Sequence, residues 1–428
     1  MGWIRDPPLP YPGDWDEVRS PARPSQARET NTRDVLRLLR RHAPCSRADL
    51  VRLSGLSAPT VSAAIAWLHR KGIVEALGPG ASSGGRPPGL LQFNARSGFV
   101  VGVDIGGSTV RVALADLDGH VAGRWDAAIG EERDPSAVVA RVNTGVSQLL
   151  RREKIAARKI LHIVAGAPGI TNVDTGTVIS APNLSGWHNV PLRGLLRRKT
   201  GFQATIENDV NLGALGEHWC GAARDIRNFV FLAIGTGVGA GIVLNDALHR
   251  GANWSAGEVG YMMLPGLRPD PPTTDQPGAL EAVIGGQGIE RCWLHQSGSQ
   301  PLRATEVFER ALTGDLHANE LLNRAADLLA MAITNLSLTL DLSLVVLSGG
   351  VGAHAALLDA IQQRLECHQF ARPQLAVTSL HGEASLYGAI YLALQQAESR
   401  LLRRIASNGV SQPAARNLPR RPRASDNG

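Results

Sequence analysis

The 428-residue sequence predicts a small winged helix-turn-helix domain followed by an α/β domain of two lobes. Three short helical patterns and a hairpin pattern precede residue 97, and apolar strands that end in glycine-rich turns alternate with helices after it. The early part is also basic, because residues 28–93 carry ten Lys and Arg against four acidic residues. The predicted segments are a disordered 1–27, a winged helix-turn-helix at 28–96, a two-lobed domain at 97–398 and a basic disordered tail at 399–428.

Composition argues against membrane and secreted classes of protein. No apolar run approaches the roughly 18–20 residues that cross a bilayer. The N-terminal segment has neither the basic nor the apolar region of a signal peptide. The four cysteines are scattered and show no Cys-x-x-Cys spacing, which argues against a disulfide framework and a cysteine zinc site. We therefore expect a cytoplasmic protein without a membrane segment.

The three helical patterns cover residues 31–42, 46–55 and 57–72. The first has a candidate N-cap at Asn31 or Thr32, the second begins after a Ser46 cap and stops at Gly55, and the third begins at Ser57. The third pattern places apolar residues at helical spacing on one buried stripe, namely Val61, Ala64, Ile65 and Leu68. Two short apolar runs follow at 72–94, around a Gly/Pro/Ser loop that carries Arg86, and predict a hairpin wing.

This arrangement is typical of DNA-binding domains in which the third helix enters the major groove. The residues predicted to contact DNA are Arg47, Ser57, Thr60, Ser62, Arg70 and Arg86. An ordinary three-helix bundle, or a wing that binds protein, is the alternative. Helices, wing and charge agree, so a double-stranded DNA operator is the expected partner. Because such proteins read two half-sites, we expect a homodimer or a tetramer.

Three glycine-rich turns follow apolar strands in the second domain: "DIGGST" (104–109), "GTGVGAG" (235–241) and "SGG" (348–350). Glycines let backbone N–H groups approach phosphate oxygens, and Asp104 could hold Mg²⁺ through water. A single glycine turn is weak support, since glycine also serves tight turns, but three after strands are stronger. The Gly-Lys-Ser/Thr ending of a P-loop does not occur in these turns.

Two further stretches carry polar side chains suited to a sugar. In "IENDVN" (206–211), Asp209 could accept the proton of a sugar hydroxyl, and Asn208 could hold neighbouring hydroxyls. The alternative for this pair is an Asn-Asp turn or a helix cap. In "SAGEVGY" (255–261), Glu258 could bind hydroxyls, against the alternative of a surface carboxylate.

Together these motifs and "APNLSGW" (181–187) resemble the ROK family of bacterial sugar kinases and sugar-responsive repressors. The resemblance covers roughly residues 30–395 and implies the actin-like, ribonuclease-H-like ATPase fold. It implies an ATP-phosphate site formed by Asp104, Gly106, Gly107, Ser108, Gly235, Thr236, Gly237, Gly349 and Gly350. It implies sugar contacts from Asn183, Asn208, Asp209, Glu258 and Glu281, with Asp209 as the base.

The sequence departs from the family pattern at its zinc motif. Tyr261 stands where the family has a histidine, and residues 264–283 contain none of the expected cysteines. Tetrahedral zinc needs Cys or His ligands at close spacing, so no zinc is expected. Tyr261 could still donate a hydrogen bond to a sugar hydroxyl, or it could simply pack at the lobe surface.

The resulting expectation is a sugar-responsive transcriptional regulator, a repressor or alternatively an activator, whose second domain binds a sugar effector and alters operator affinity. The competing hypothesis is an ATP-dependent sugar kinase that carries a DNA-binding arm, with Asp209 as general base and with ATP and Mg²⁺ as cofactors. The winged helix and the lost zinc motif favour a protein that is not an enzyme.

Overall fold

The computed structural model describes residues 24–79, 89–181, 184, 186–267, 276–297, 300–367 and 372–407. These residues divide into two compact units, one formed by 95–397 and the other by the residues before 95 together with those from 398 onward. Among the described helices, none combines the length and the apolar character needed to cross a bilayer.

The smaller unit contains three helices and a three-stranded sheet. Its helices are α1 (Pro24–His42), α2 (Arg47–Ser54) and α3 (Ala58–Arg70), and its strands are β1 (Cys45–Ser46), β2 (Val74–Pro79) and β3 (Gly89–Phe93). The strands pair in the order β1-β3-β2, with β2 and β3 as the antiparallel wing. The wing loop, including Arg86, lies outside the described residues.

Local sequence signals set the ends of the second and third helices. Ser46 and Asp49 form a reciprocal capping box at the start of α2, and Gly55 ends this helix with φ of 67°. The Ser57 side chain caps α3 by accepting from the Thr60 backbone N–H. The predicted apolar stripe of α3 is confirmed, because all four of its residues are buried.

The structure differs from the predicted boundaries at both ends of the chain. Helix α1 begins at Pro24, before the predicted caps, and Thr32 lies inside it with its hydroxyl donating to the Arg28 carbonyl. Proline is well suited to a first helical position, which explains the early start. At the other end the last helix continues to Ser407, beyond the predicted boundary at 398. Residues 1–23 and 408–428, which the sequence predicts to be disordered, lie outside the described residues.

The strands of the first lobe of the larger unit are β4 (Phe99–Ile105), β5 (Thr109–Asp116), β6 (Val121–Ala128), β7 (Ile160–Ala167), β8 (Ile170–Asn172), β9 (Thr177–Ser180), β10 (His188–Val190) and β11 (Ala204–Asn208). They form a five-stranded sheet in the order β11-β7-β4-β5-β6 and a three-stranded sheet in the order β10-β9-β8. Its helices are α4 (Pro135–Arg152), α5 (Leu192–Thr200) and α6 (Asp209–Cys220). Strands β4 and β7 are buried along their whole length, as expected for central strands covered on both faces.

The second lobe is another five-stranded sheet, in the order β14-β13-β12-β15-β16. Its strands are β12 (Phe229–Ile234), β13 (Val238–Leu244), β14 (Ala247–His249), β15 (Leu344–Ser348) and β16 (Gln374–Val377). The remaining helices are α7 (Glu281–Ile284), α8 (Gly286–Ser297), α9 (Ala304–Leu312), α10 (Leu316–Leu340), α11 (Gly349–Gly352), α12 (Ala355–Leu365) and α13 (Ala384–Ser407). Helices α8, α9, α10 and α12 share one apolar core with this sheet.

Helix α6 lies between the two sheets and is crossed closely by α13. A Cβ atom at Gly166 of β7 would lie 2.9 Å from the Leu212 side chain, and one at Gly213 would lie 2.4 Å from Phe231 of β12. A Cβ atom at Gly388 of α13 would come within 1.8 Å of the Leu212 carbonyl oxygen. Glycine therefore permits the close packing that brings the N-terminus of α6 between the lobes.

Candidate functional site

The carboxyl ends of the first-lobe strands bring Asp104 and Asp209 to the same face of the sheet. Asp104 lies on β4 and pairs in register with Gly166 of β7. Asp209 is the first residue of α6, directly after β11. A Cβ atom at Gly166 would lie 3.6 Å from the Asp209 Cβ, so the two aspartates flank this glycine. Motifs that are about a hundred residues apart therefore meet at one site.

Burial and mutual repulsion raise the pKa values of these two carboxyls. The pKa of Asp209 rises to about 7, first because of burial and then because of the negative charges of Asp104 and Glu258. Burial raises the pKa of Asp104 to about 6, and the nearby Arg111 guanidinium limits the rise. A carboxyl with a pKa near 7 can accept a proton at physiological pH, as a general base must.

Glu258 and Glu281 add two carboxyls from the second lobe. Glu258 directly precedes a short 3₁₀ turn at Val259–Tyr261, and burial and the charge of Glu281 raise its pKa to about 7. Burial raises the pKa of Glu281 as well, although its Oε2 accepts a hydrogen bond of 2.8 Å from the Val238 backbone N–H. The four carboxyls form an acidic site, which we call the carboxyl site: Asp104, Asp209, Glu258 and Glu281.

Asn208 has the capping role that the sequence analysis set against sugar binding. Its Oδ1 accepts from the Asn211 backbone N–H at 2.9 Å, and its Nδ2 donates to the Gly169 carbonyl at 3.0 Å. These two bonds cap α6 and hold the loop after β7. Asn208 therefore orients Asp209 beside it. The other predicted sugar-binding asparagine, Asn183, lies outside the described residues.

Tyr261 connects two segments of the second lobe. Its hydroxyl donates to the Gln276 carbonyl at 3.2 Å. A Cβ atom at Gly278 would lie 2.3 Å from the Gly260 carbonyl oxygen and 2.6 Å from the Tyr261 Cα, so the two segments are in direct contact. Within the described ranges, no group of three or more His, Cys, Asp or Glu side chains could hold a metal ion. The residues at this position do not fit zinc, since a tyrosine hydroxyl and a backbone carbonyl replace thiolate and imidazole.

An ion pair between a buried glutamate and a partly exposed arginine lies beside the site and was missed by the sequence analysis. Glu207 is 1% exposed, and its Oε2 accepts from the Arg250 Nε at 2.7 Å. Its Oε1 accepts from the Asn208 backbone N–H and from the Asn211 Nδ2. The pair connects β11 of the first lobe to the end of β14 in the second. The available signal was a glutamate directly after Ile206 in a predicted strand, since a buried carboxylate needs a partner.

The glycine turns at 235–237 and 349–350 lie together, because β12 and β15 are parallel neighbours. Gly349 has φ of 84°, and a Cβ atom there would lie 2.2 Å from the Ile234 carbonyl oxygen. Thr236 and Gly350 are exposed. The turn at 105–109 closes the β4–β5 hairpin next to Asp104, with Gly107 and Ser108 exposed. Exposed turns of this kind can present backbone N–H groups to phosphate oxygens.

Five of the predicted DNA-contacting residues are described by the structure, and all five are at least partly exposed on the smaller unit, whereas Arg86 lies outside the described residues. Ser57 and Ser62 are exposed, and the Ser57 and Thr60 hydroxyls are 2.8 Å apart at the start of α3. Arg47 and Arg70 line a cavity of about 330 Å³ between α2, α3 and the wing, whose other lining residues are Ala66, His69, Ala76, Gly89, Leu90 and Leu91. Two of the predicted cations are thereby brought together beside the wing.

Comparison with known proteins identifies both units. Residues 100–396 match the ROK family, and residues 28–75 match a winged helix-turn-helix DNA-binding family. The chain belongs to the ROK family. The predicted fold class, a two-lobed α/β sugar-kinase fold after a winged helix-turn-helix domain, is confirmed.

Both regulators and kinases resemble this ROK chain. The xylose repressor of Caldicellulosiruptor bescii is 28% identical over 84% of the chain and 94% of its own length. The glucokinase of Halalkalibacterium halodurans is 30% identical over 70% of the chain and 96% of its own length. A solved ROK family transcriptional regulator, a homolog of the E. coli MLC protein, has a TM-score of 0.71 at 22% identity and covers 90% of the chain and 100% of its own, which shows the shared fold.

Proposed function

We propose that this ROK protein is a sugar-responsive transcriptional repressor. The observation that carries the proposal is that one chain joins a winged helix-turn-helix to a ROK domain. The match to the xylose repressor extends over 84% of the chain, whereas the match to the glucokinase stops at 70%. A kinase would need no DNA-binding unit, whereas a repressor needs both a sensor and a reader.

The chemistry of the carboxyl site suits an uncharged sugar. Asp209 and Glu258 have pKa values raised to about 7, so both carry protons for much of the time at neutral pH. A protonated carboxyl can donate one hydrogen bond to a hydroxyl and accept another, whereas a carboxylate only accepts. The fraction of these carboxyls that is ionised at neutral pH carries negative charge and would repel a sugar phosphate or a sugar acid. We therefore expect a neutral hexose, pentose or N-acetylated sugar as the effector.

The smaller unit offers a reading face and a phosphate-binding face. The exposed hydroxyls at the start of α3 can reach base edges in the major groove. Arg47, His69 and Arg70 surround the cavity beside the wing, where they can contact the DNA backbone and fix the register. We expect a cytoplasmic protein whose partner is a double-stranded DNA operator with two half-sites, read by a dimer or a tetramer.

Sugar binding would change operator affinity only through a difference between two conformations. The two lobes contribute separate carboxyls to one site, so a bound sugar that contacts both would favour a closed arrangement of the lobes. The effect on DNA affinity cannot exceed the ratio of the sugar's affinities for the two conformations.

A panel of neutral and charged sugars tests the sensor part of the proposal. A sugar that binds only the folded chain raises its melting temperature. Glu258→Ala should lower the affinity for the active sugar by about tenfold, since it removes the hydrogen-bonding group from the ligand. Glu320→Ala, on the exposed face of α10, is the matched control and should respond as the parent does. A response only to sugar phosphates would contradict the proposal.

A sugar kinase is the second candidate, and Asp209 is the observation that favours it. Its raised pKa suits a general base that takes a proton from the attacking sugar hydroxyl. The exposed turns at 106–108, 235–237 and 349–350 would hold the phosphates of ATP, whose γ-phosphoryl group would be transferred with Mg²⁺ as cofactor. Sugar phosphorylation that disappears in Asp209→Ala would establish the kinase. If no sugar that raises the melting temperature is phosphorylated, the sensor function remains as the interpretation.

A further inference from the structure

Arg111 holds a position at the carboxyl site that the sequence motifs do not assign. It lies on β5 directly opposite Asp104 of β4 in the antiparallel register. Its Nη1 is 3.6 Å from the Asp104 Oδ2, and the same nitrogen donates to the Gly382 carbonyl just before α13. One guanidinium therefore connects the strand that bears Asp104 to the segment that leads into α13.

The surroundings of Arg111 strengthen the effect of its charge on Asp104. Asp104 is 8% exposed and the Arg111 side chain is 39% exposed, so the carboxylate end of the pair is shielded from water while the guanidinium is partly solvated. Arg111 is also opposite Asp126 on its other neighbour, β6. A guanidinium stays charged at every physiological pH, so Arg111 does not lose its positive charge by deprotonation. Its charge is thus a permanent feature of the sheet edge that carries the first glycine turn.

We infer that Arg111 is a built-in counter-cation for Asp104. The arginine occupies the role of a divalent cation at this carboxylate, and it thereby disfavours the binding of Mg²⁺ with a nucleotide at this site. Asp104 is the acid that would attract Mg²⁺ to the first glycine turn, because carboxylate oxygens are the ligands that this ion prefers. A fixed positive charge 3.6 Å away partly compensates that carboxylate and repels a second cation. Sugar recognition by Glu258 and Glu281 needs no cation and remains open.

The inference goes beyond the proposed repressor function and does not depend on it. It concerns the affinity of the ROK domain for Mg²⁺ and nucleotide, whether or not a sugar releases DNA. It would explain how a chain that retains Asp104 and Asp209 could sense a sugar without phosphorylating it.

A purely structural role for Arg111, in holding the start of α13, is the competing interpretation. A second arginine performs that role nearby and provides the matched control. Arg124 of β6 contacts the Glu383 Oε1 at 3.1 Å through Nη1 and donates to the Tyr387 hydroxyl at 2.7 Å through Nη2. Replacing Arg124 loosens the same segment without removing the charge beside Asp104.

The test is calorimetric titration of the full chain with AMP-PNP, in Mg²⁺ and in EDTA. The parent protein and Arg111→Lys, which keeps the charge, should bind with similar affinity in the two conditions. Arg111→Gln loses the charge and keeps a polar side chain of shorter reach, and should gain at least about tenfold in affinity from Mg²⁺ (about 1.4 kcal/mol). Arg124→Ala should behave as the parent does.

Three results would overturn the inference. One is a parent protein that already gains as much from Mg²⁺ as Arg111→Gln does. Another is an Arg124→Ala variant that gains as much, which would make the effect structural. The third is no Mg²⁺-dependent gain in Arg111→Gln, including the case of no nucleotide binding, provided that the variant melts cooperatively. The DNA affinity of each variant, measured in parallel, keeps failure of this inference separate from failure of the repressor proposal.

Discussion

Replacing Asp209 by asparagine should stabilise the ROK domain at high pH and change the pH dependence of its stability. In the parent protein the pKa of Asp209 is raised from 3.8 to about 7, so the folded state retains a proton that the unfolded state has lost. Stability is therefore lost as pH rises from about 4 to about 7, because the folded state binds more protons over that range. At 1.36 kcal/mol for each unit of pKa, the loss between pH 5 and pH 8 is at most about 2.7 kcal/mol. Asp209 keeps some exposure to solvent, and we expect roughly half of that limit, about 1.4 kcal/mol.

Calorimetric melting of the full chain at pH 5 and pH 8 measures this effect, with the transition of the ROK domain followed separately from that of the winged helix. Asp209→Asn should be more stable than the parent at pH 8, and its advantage should shrink towards pH 5. Asp126→Asn, on the exposed side of β6, is the control and should follow the parent. An advantage that is the same at both pH values, or that is larger at pH 5, would refute the reasoning.

Three further predictions follow from contacts elsewhere in the molecule. Arg250→Ala should lower the free energy of unfolding in urea by about 3 kcal/mol, because it leaves the Glu207 carboxylate buried without its cation. Adding Glu207→Gln to that variant should recover part of the loss. Gly388→Ala should cost about 2 kcal/mol by urea unfolding, since its Cβ would lie 1.8 Å from a carbonyl oxygen of α6; an unchanged midpoint would disprove that packing. Arg47→Ala and Arg70→Ala should each weaken binding to all DNA sequences alike, measured by fluorescence titration. Each should also reduce by about 1 the slope of the logarithm of DNA affinity against the logarithm of salt concentration. Loss of discrimination between sequences would instead show a base contact.

Local signals made much of the fold predictable. The caps at Ser46 and Ser57 and the stop at Gly55 depend on neighbouring residues alone, and the structure places them where the sequence indicates. The alternation of strands and helices likewise predicts the α/β class, because each period reflects the local backbone geometry. The predicted start of α1 was wrong. Asn31 and Thr32 are good caps by local preference, but the helix begins before both of them.

The candidate site was only partly predictable, because its chemistry depends on contacts across the sequence. Asp209 and Glu258 were identified from their motifs, but their raised pKa values arise from burial and from neighbouring carboxylates, Asp104 and Glu258 for Asp209 and Glu281 for Glu258. The Glu207–Arg250 pair and the position of Arg111 beside Asp104 required the register of strands far apart in the chain. Sequence gave no means of choosing between the capping and the sugar-binding roles of Asn208.

The most direct test of the account is DNA binding by the full chain with and without sugar. A duplex selected by the protein from a randomised pool would be titrated by fluorescence anisotropy, with each sugar that raises the melting temperature and in the absence of ATP. We predict that one neutral sugar lowers DNA affinity at least about tenfold, a coupling free energy of about 1.4 kcal/mol, and that Glu258→Ala reduces this response. DNA affinity that is unchanged by every such sugar, together with ATP-dependent phosphorylation that disappears in Asp209→Ala, would contradict it.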